Sequence, residues 1–293
     1  MSQPTTDIRP RRSVLYMPAA RASALEKAKS LPADALVFDL EDAVAPDAKA
    51  DARGMATAAA ASKAYGKREI IIRANGLDTP WGFDDLHAIA TSGAAAALLP
   101  KVESAEALAK ASAILDQAGA PPDLRLWAMI ETPMGVLRAE TIAAVPRLAV
   151  LVMGTSDLAV DLGAAHTPGR EPFEPSFGLV LLAARAYSKA ALDGVHLNLG
   201  DMAEFEAHCA QAADMGFDGK TLIHPKQVAP ANAAFGLDPD AVATAKRVVE
   251  VYAAAIAAGQ GVATLDGKLI ENLHAAEAQR TLAMADAIAA LSD

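Results

Sequence analysis

A closed α/β barrel of the TIM, or (β/α)8, type is the fold class this sequence predicts, on three observations. Short apolar runs alternate eight times with longer Ala-rich stretches of helical character. The runs are apolar at nearly every position, the mark of strands buried on both faces of a parallel sheet. Most end abruptly in a polar residue, at the strand tips where barrel enzymes keep their chemistry. Eight such units close a barrel. An open doubly wound sheet is the runner-up, but the Gly-x-Gly-x-x-Gly turn it usually carries is absent.

In chain order, residues 1–10 are polar with two prolines and read as a loose arm. Strands are expected at 13–17, 35–40, 69–74, 95–99, 125–130, 148–153, 194–199 and 217–223. Helices are expected at 22–30, 47–65, 81–91, 104–118, 136–144, 175–192 and 202–215. Asp47, Ser104 and Asp201 stand where N-caps belong, the last with Glu204 three residues on. After the eighth unit, residues 238–258 read as a helix capped by Asp238 or Asp240, and residues 262–270 as a hairpin turning on Asp266-Gly267. A final helix spans about 273–291. The domain reading is a barrel over 1–237 and an extension over 238–293. The extension is either an active-site lid, here or in a neighbouring subunit, or a dimerisation arm.

Bulk composition narrows the function. The 293 residues are 53% hydrophobic with a net charge of −10 and no long basic tract, which argues against nucleic acid as a partner. No apolar run reaches the roughly 18 residues that span a bilayer. Arg11-Arg12 precedes an apolar stretch too short for an export signal, with Arg21, Glu26 and Lys27 close behind. The lone Cys209 excludes an internal disulfide, and a cytoplasmic location is expected.

The polar residues at the strand ends are the candidate chemistry. Strand 2 ends in Asp39-Leu40-Glu41-Asp42, strand 3 in Arg73, strand 4 in Pro100-Lys101, strand 5 in Glu131, strand 6 in Gly154-Thr155-Ser156-Asp157, and strand 8 in His224-Pro225. Glu131 and Asp157 close two apolar runs, where burying a carboxylate costs several kcal/mol unless a cation or donor compensates. They are expected to hold one hard cation through oxygen, Mg²⁺ or alternatively Mn²⁺. Arg73 suits bidentate capture of a substrate carboxylate, or else bridges to Glu41 or Asp42 across strands 2 and 3. Lys101 is either a Schiff-base nucleophile or, with acids beside it, a charge-balancing residue. His224 is either a metal ligand or a packed histidine, there being no second His or Cys at zinc-like spacing. Asp42, Glu103 and Asp161 taken singly read as caps or surface partners.

Five segments in order carry a resemblance: 12–18 (RSVLYMP), 38–44 (FDLEDAV), 99–104 (LPKVES), 130–133 (IETP) and 216–220 (GFDGK). Together they resemble the citrate lyase β-subunit-like branch of the HpcH/HpaI aldolase superfamily, of the malyl-CoA or citramalyl-CoA lyase type, along nearly the whole chain. The resemblance implies a TIM barrel, a homotrimer or homohexamer, and Mg²⁺-dependent chemistry on a C–C bond next to a CoA thioester. It implies Glu131 and Asp157 as metal ligands and Arg73 as the grip on the 2-oxo acid. CoA contacts would fall near Tyr16, Arg21 and Lys27, with Lys101 and Ile223-His224 lining the site. Glu271 stands at the lid position where the family commonly has Asp, and is the expected acid/base. Glu41 and Asp42 would hold metal waters or Arg73. The expected reaction is cleavage of malyl-, β-methylmalyl- or citramalyl-CoA to an acyl-CoA and glyoxylate or pyruvate. The expected partners are a CoA thioester and a small 2-oxo acid of the glyoxylate, pyruvate or oxaloacetate class. The alternatives are a citrate lyase β subunit acting on an acyl-carrier-protein thioester, a malyl-CoA thioesterase or synthase, or a non-catalytic sensor of CoA esters.

Overall fold

A computed structural model describes residues 8–291; the first seven residues of the expected N-terminal arm lie outside it. Eight parallel strands close into a barrel in sequence order: β1 (Ser13–Pro18), β2 (Ala35–Asp39), β3 (Glu69–Arg73), β4 (Ala96–Leu99), β5 (Arg125–Ile130), β6 (Leu148–Met153), β7 (Ala190–Asp193) and β8 (Gly219–Leu222). Closure is made by β1 on β8, with Ser13 opposite Lys220 and Leu15 opposite Leu222. The predicted TIM fold is therefore the observed one.

Alternation along each strand builds two apolar layers, because successive side chains point to opposite faces. Val14, Val37, Ile71, Leu98, Trp127, Val150, Val152 and Leu192 fill the barrel interior. The other parity, including Leu15, Leu36, Phe38, Ile72, Ala128 and Leu151, packs outward in one continuous core with the helices. Those helices are α1 (Ala22–Ala28), α2 (Lys49–Ala61), α3 (Gly82–Ile89), α4 (Ala105–Gln117), α5 (Pro133–Leu137), α6 (Ala139–Ala143), α7 (Thr155–Leu162), α8 (Glu174–Ala186), α9 (Met202–Met215) and α10 (Val228–Ala234). Alanine on their inner faces lets them approach the strands closely.

Several local expectations hold and several are corrected. Ser104 accepts from the N–H of Ala107 and Asp201 from that of Glu204, as N-caps do. Asp47 does not cap α2; it lies in a 3₁₀ turn, Pro46–Ala48, that leads into the helix. The helix expected over 136–144 is two short ones, broken at Arg138. Helices α7 and α10 follow β6 and β8 where none was expected.

The largest correction is the seventh strand, expected at 194–199 and found at Ala190–Asp193. The Ala-Ala-Leu-Asp segment continues the pattern of the helix before it. Ser188, with φ of +54°, ends that helix in the left-handed region. Pairing of Ala190 with Val150 and of Leu192 with Gly219 then makes the segment a strand. Its last residue, Asp193, is fully buried and accepts from Arg170 Nη1 at 2.8 and 2.7 Å and from Lys220 Nζ at 2.5 Å. Burial works against its charge, but Lys220 and Arg170 outweigh that and hold the carboxyl below its ordinary range. Two buried cations on one buried carboxylate tie β7 and β8 to the segment before α8, an arrangement that favours one geometry more than it adds stability.

The chain divides into two compact units, one of residues 11–235 and a second containing 236–291. In the second unit α11 (Pro239–Ala257) begins at Asp238, which accepts from the N–H of Asp240. The hairpin β9 (Ala263–Leu265) and β10 (Lys268–Ile270) turns on Asp266 and Gly267, whose φ values of +49° and +75° fit the Asp-Gly hairpin turn. The final helix is α12 (Asn272–Ala290). Ala245, Val248, Ile270 and Ala278 form this unit's own small core. Among the described residues no helix is long and apolar enough to cross a membrane.

Candidate active site

Strand register decides which acid at the end of β2 meets Arg73. Asp39 is the direct partner of Arg73 across β2 and β3. Arg73 Nε and Nη2 donate to the two Asp39 oxygens, each at 2.7 Å, the parallel fork that guanidinium and carboxylate form best. The remaining nitrogen, Nη1, lies 2.5 Å from Glu41 Oε2 and 3.3 Å from Asp42 Oδ2. Sequence left open whether this fork takes a substrate carboxylate or bridges strands 2 and 3; here its bidentate face is taken by Asp39. The sequence offers Glu41 or Asp42 for that bridge; the register puts Asp39 there instead. The guanidinium also stacks over the Tyr16 ring at 5.0 Å. Burial disfavours the charge on Arg73, but Asp39 more than offsets this and raises its affinity for the proton well above the usual.

Glu41 Oε2 is close to Arg73 Nη1 but off the N–H direction, so this buried oxygen has no hydrogen bond among the described residues. Burial pushes the Glu41 carboxyl up to about 7, with Arg73 pulling the other way. Tyr16 is also pushed above its usual range by burial, which keeps its hydroxyl a neutral donor; it reaches the sulfur of Met129 at 3.6 Å.

Glu131 follows the last residue of β5, and Gly154 follows the last residue of β6; Ile130 pairs with Met153 just before them. The carboxylate of Glu131 is 4% exposed and accepts the backbone N–H of Lys101 at 2.7 Å. A Cβ on Gly154 would stand 2.4 Å from Glu131 Cβ and 2.5 Å from its Oε2, so only glycine leaves room for this acid. Gly154→Ala is expected to destabilise the fold by about 1–3 kcal/mol, as overpacking does. Gly178→Ala in α8, where an added Cβ meets nothing within 4 Å, is expected to be neutral or stabilising, because alanine is the better helix former. Urea denaturation of the two variants side by side checks this contrast.

Burial pushes Glu131 up to about 7; the Lys101 N–H opposes this and the charge of Asp157 adds to it. Asp157 lies in the first turn of α7, half-exposed, 3.1 Å from Lys101 Nζ. The candidate donors are therefore two neighbouring carboxylates, Glu131 and Asp157, with Glu41, whose buried Oε2 has no hydrogen bond among the described residues, near enough to feel the charge of Glu131. Oxygen-only donors suit a hard divalent cation of the magnesium kind, which keeps several ligand positions for water and substrate. Among the described residues no group of three or more His, Cys, Asp or Glu side chains is assembled for a metal.

The other expected site residues fall as follows. Tyr16, Asp42 and Lys101 stand with the acids described above. Arg21 and Lys27 are exposed at the N-cap and last turn of α1. Ile223 is 36% exposed. His224 is exposed, and its Nδ1 accepts the N–H of Lys226 as the cap of a 3₁₀ turn, which commits that nitrogen to structure. Glu271 belongs to the second unit, at the start of α12, where its N–H donates to His274.

Comparison with known proteins gives this geometry a context. Residues 12–225 match the family described as HpcH/HpaI aldolase/citrate lyase. A (3S)-malyl-CoA thioesterase of Cereibacter sphaeroides is 49% identical over 281 residues, covering 96% of each chain. Citrate lyase subunit beta of Escherichia coli is 36% identical over 90% of this chain and 89% of its own. A solved structure of CitE from Mycobacterium tuberculosis, in complex with magnesium, acetoacetate and coenzyme A, superposes with a TM-score of 0.71 at 28% identity over 96% of this chain and 99% of that one.

Proposed function

Since the chain belongs to the HpcH/HpaI aldolase/citrate lyase family, we propose that it is a Mg²⁺-dependent enzyme of CoA thioesters that hydrolyses malyl-CoA to malate and free CoA. The observation that carries the choice of reaction is the 49% identity, over 96% of both chains, to a (3S)-malyl-CoA thioesterase. The site supplies suitable chemistry. Glu131 and Asp157 would hold Mg²⁺, an ion with which the related CitE structures are in complex. When bound, the ion supplies Lewis-acid polarisation and a template for the hydroxyl and carboxylate of the acid.

Everything else is done by the chain's own side chains. Glu41, with a carboxyl near 7, is poised to take a proton at neutral pH, which is where a general base works best. Arg73 stands beside it and stabilises the negative charge that builds on the substrate. Asp39 keeps the guanidinium oriented through both of its forked bonds. The Tyr16 ring packs against the Arg73 guanidinium, and its neutral hydroxyl, now on the Met129 sulfur, would be a donor for the substrate. Glu271 would act as acid/base; Arg21, Lys27 and the Ile223-His224 turn would contact CoA.

C–C cleavage is the second reading, favoured by the likeness to citrate lyase subunit beta and to CitE bound to magnesium and pyruvate. There the same base would take the proton of the 3-hydroxyl, and an acyl-CoA and a 2-oxo acid would leave. One experiment separates the two. Malyl-, β-methylmalyl- and citramalyl-CoA are incubated with Mg²⁺ or EDTA, and free thiol and 2-oxo acid are both measured. Thiol release in step with malate, abolished by EDTA, is the expected result. Glyoxylate or pyruvate with no free thiol would move the assignment to lyase. Binding without turnover would leave a sensor of CoA esters.

A further inference from the structure

We propose that Lys101 is the resident counter-cation of the Glu131–Asp157 pair, a positioning residue whose ammonium holds Asp157 until a divalent cation displaces it. This rests on the metal reading above and adds to it what keeps the two acids together before the ion arrives. Lys101 has φ of +48°, a left-handed conformation that costs a non-glycine residue on the order of 1 kcal/mol or more and persists only where its surroundings impose it. What imposes it is visible: its N–H donates to Glu131 Oε1 at 2.7 Å, while its Nζ stands 3.1 Å from Asp157 Oδ2. One residue, on the loop after β4, thus touches both acids, which come from the ends of β5 and β6.

Its two contacts differ in kind. The backbone contact uses a fixed N–H and one Glu131 oxygen, leaving Oε2 for another ligand. The side-chain contact is an exposed, four-carbon stem, 59% accessible, whose ammonium occupies an oxygen of Asp157. A small dication binds carboxylate oxygen at about 2.1 Å. An ammonium at 3.1 Å from the same carboxylate would then face it at close range as a like charge. Metal entry therefore expels Nζ and leaves the N–H bond in place. Lysine suits this exchange, since it is a point charge on a flexible stem, not a rigid fork.

The test uses the whole, substrate-free protein and the metal alone. Amine acetylation followed by mass spectrometry reads the reactivity of Lys101 with and without saturating Mn²⁺, with the exposed Lys27 as internal reference. Labelling of Lys101 is expected to rise on metal addition while Lys27 stays constant. Mn²⁺ titration followed by electron paramagnetic resonance is expected to show Lys101→Met binding about twofold to fivefold more tightly, the range of a part-exposed ion pair removed from competition. Mn²⁺ bound by the wild type with unchanged or lowered Lys101 labelling overturns the counter-cation role and spares the metal reading. No Mn²⁺ bound by the wild type, or binding that survives Glu131→Gln, overturns both.

Discussion

Glu131→Gln is expected to slow thioester turnover about 10³-fold and at the same time to make the metal-free protein more stable at alkaline pH. The glutamine keeps the oxygen that accepts from Lys101 and removes the charge. Loss of one preorganised electrostatic contact costs about 10²–10³-fold in rate, and a metal ligand belongs at the upper end. Stability runs the other way because burial raises the Glu131 carboxyl from its ordinary 4.5 to about 7. Between those values the native state binds a proton that the unfolded chain has released, so stability falls as pH rises through this window. Below it both states are protonated and the glutamine gains nothing. At pH 8 the full penalty is present, and the variant is expected to lead by on the order of 1–3 kcal/mol. Chemical denaturation at pH 4 and pH 8 in EDTA reads the difference. A variant that is less stable at pH 8 would show that the native protein already compensates this charge. Added Mg²⁺ should then stabilise the wild type alone, as mass action requires of a ligand that binds the native state.

Arg73→Met carries the second large effect. The guanidinium is buried against Asp39, with Glu41 and Asp42 at its remaining nitrogen. Removing one partner of a buried ion pair costs about 3–5 kcal/mol, because the charge left behind has neither water nor partner. Asp39→Asn in the same chain should return part of that loss, by a coupling energy of roughly 0.5–3 kcal/mol measured as a double-mutant cycle. Additive losses would mean that Asp39 and Arg73 do not depend on one another. Arg73→Lys keeps the charge but cannot serve both Asp39 oxygens at 2.7 Å, so it should recover more stability than activity. Measuring the denaturation midpoint and kcat/KM on the same preparations separates the two.

How much of this was visible in the chain follows from burial. Parallel strands covered on both faces must be apolar throughout, so runs such as 125–130 and 148–153 announce themselves, and the acids that end them stand out. The positions of Glu131 and Asp157 at strand ends are legible from sequence for that reason, and so is that of Arg73 after three isoleucines. The seventh strand was not, because Ala190–Asp193 has helix-like composition and becomes a strand only between its neighbours. Asp193 and its two buried cations went unseen with it.

By itself, the order of residues determined that eight apolar strands alternate with helices and which carboxylates stand at their tips, because a hydrophobic pattern is a local property of the chain. Only the folded barrel decided that Asp39 takes the fork of Arg73, that Gly154 makes room for Glu131, and that Lys101 spans two acids. Those depend on strand register and on the depth to which each charge is buried, and neither quantity exists until the barrel closes.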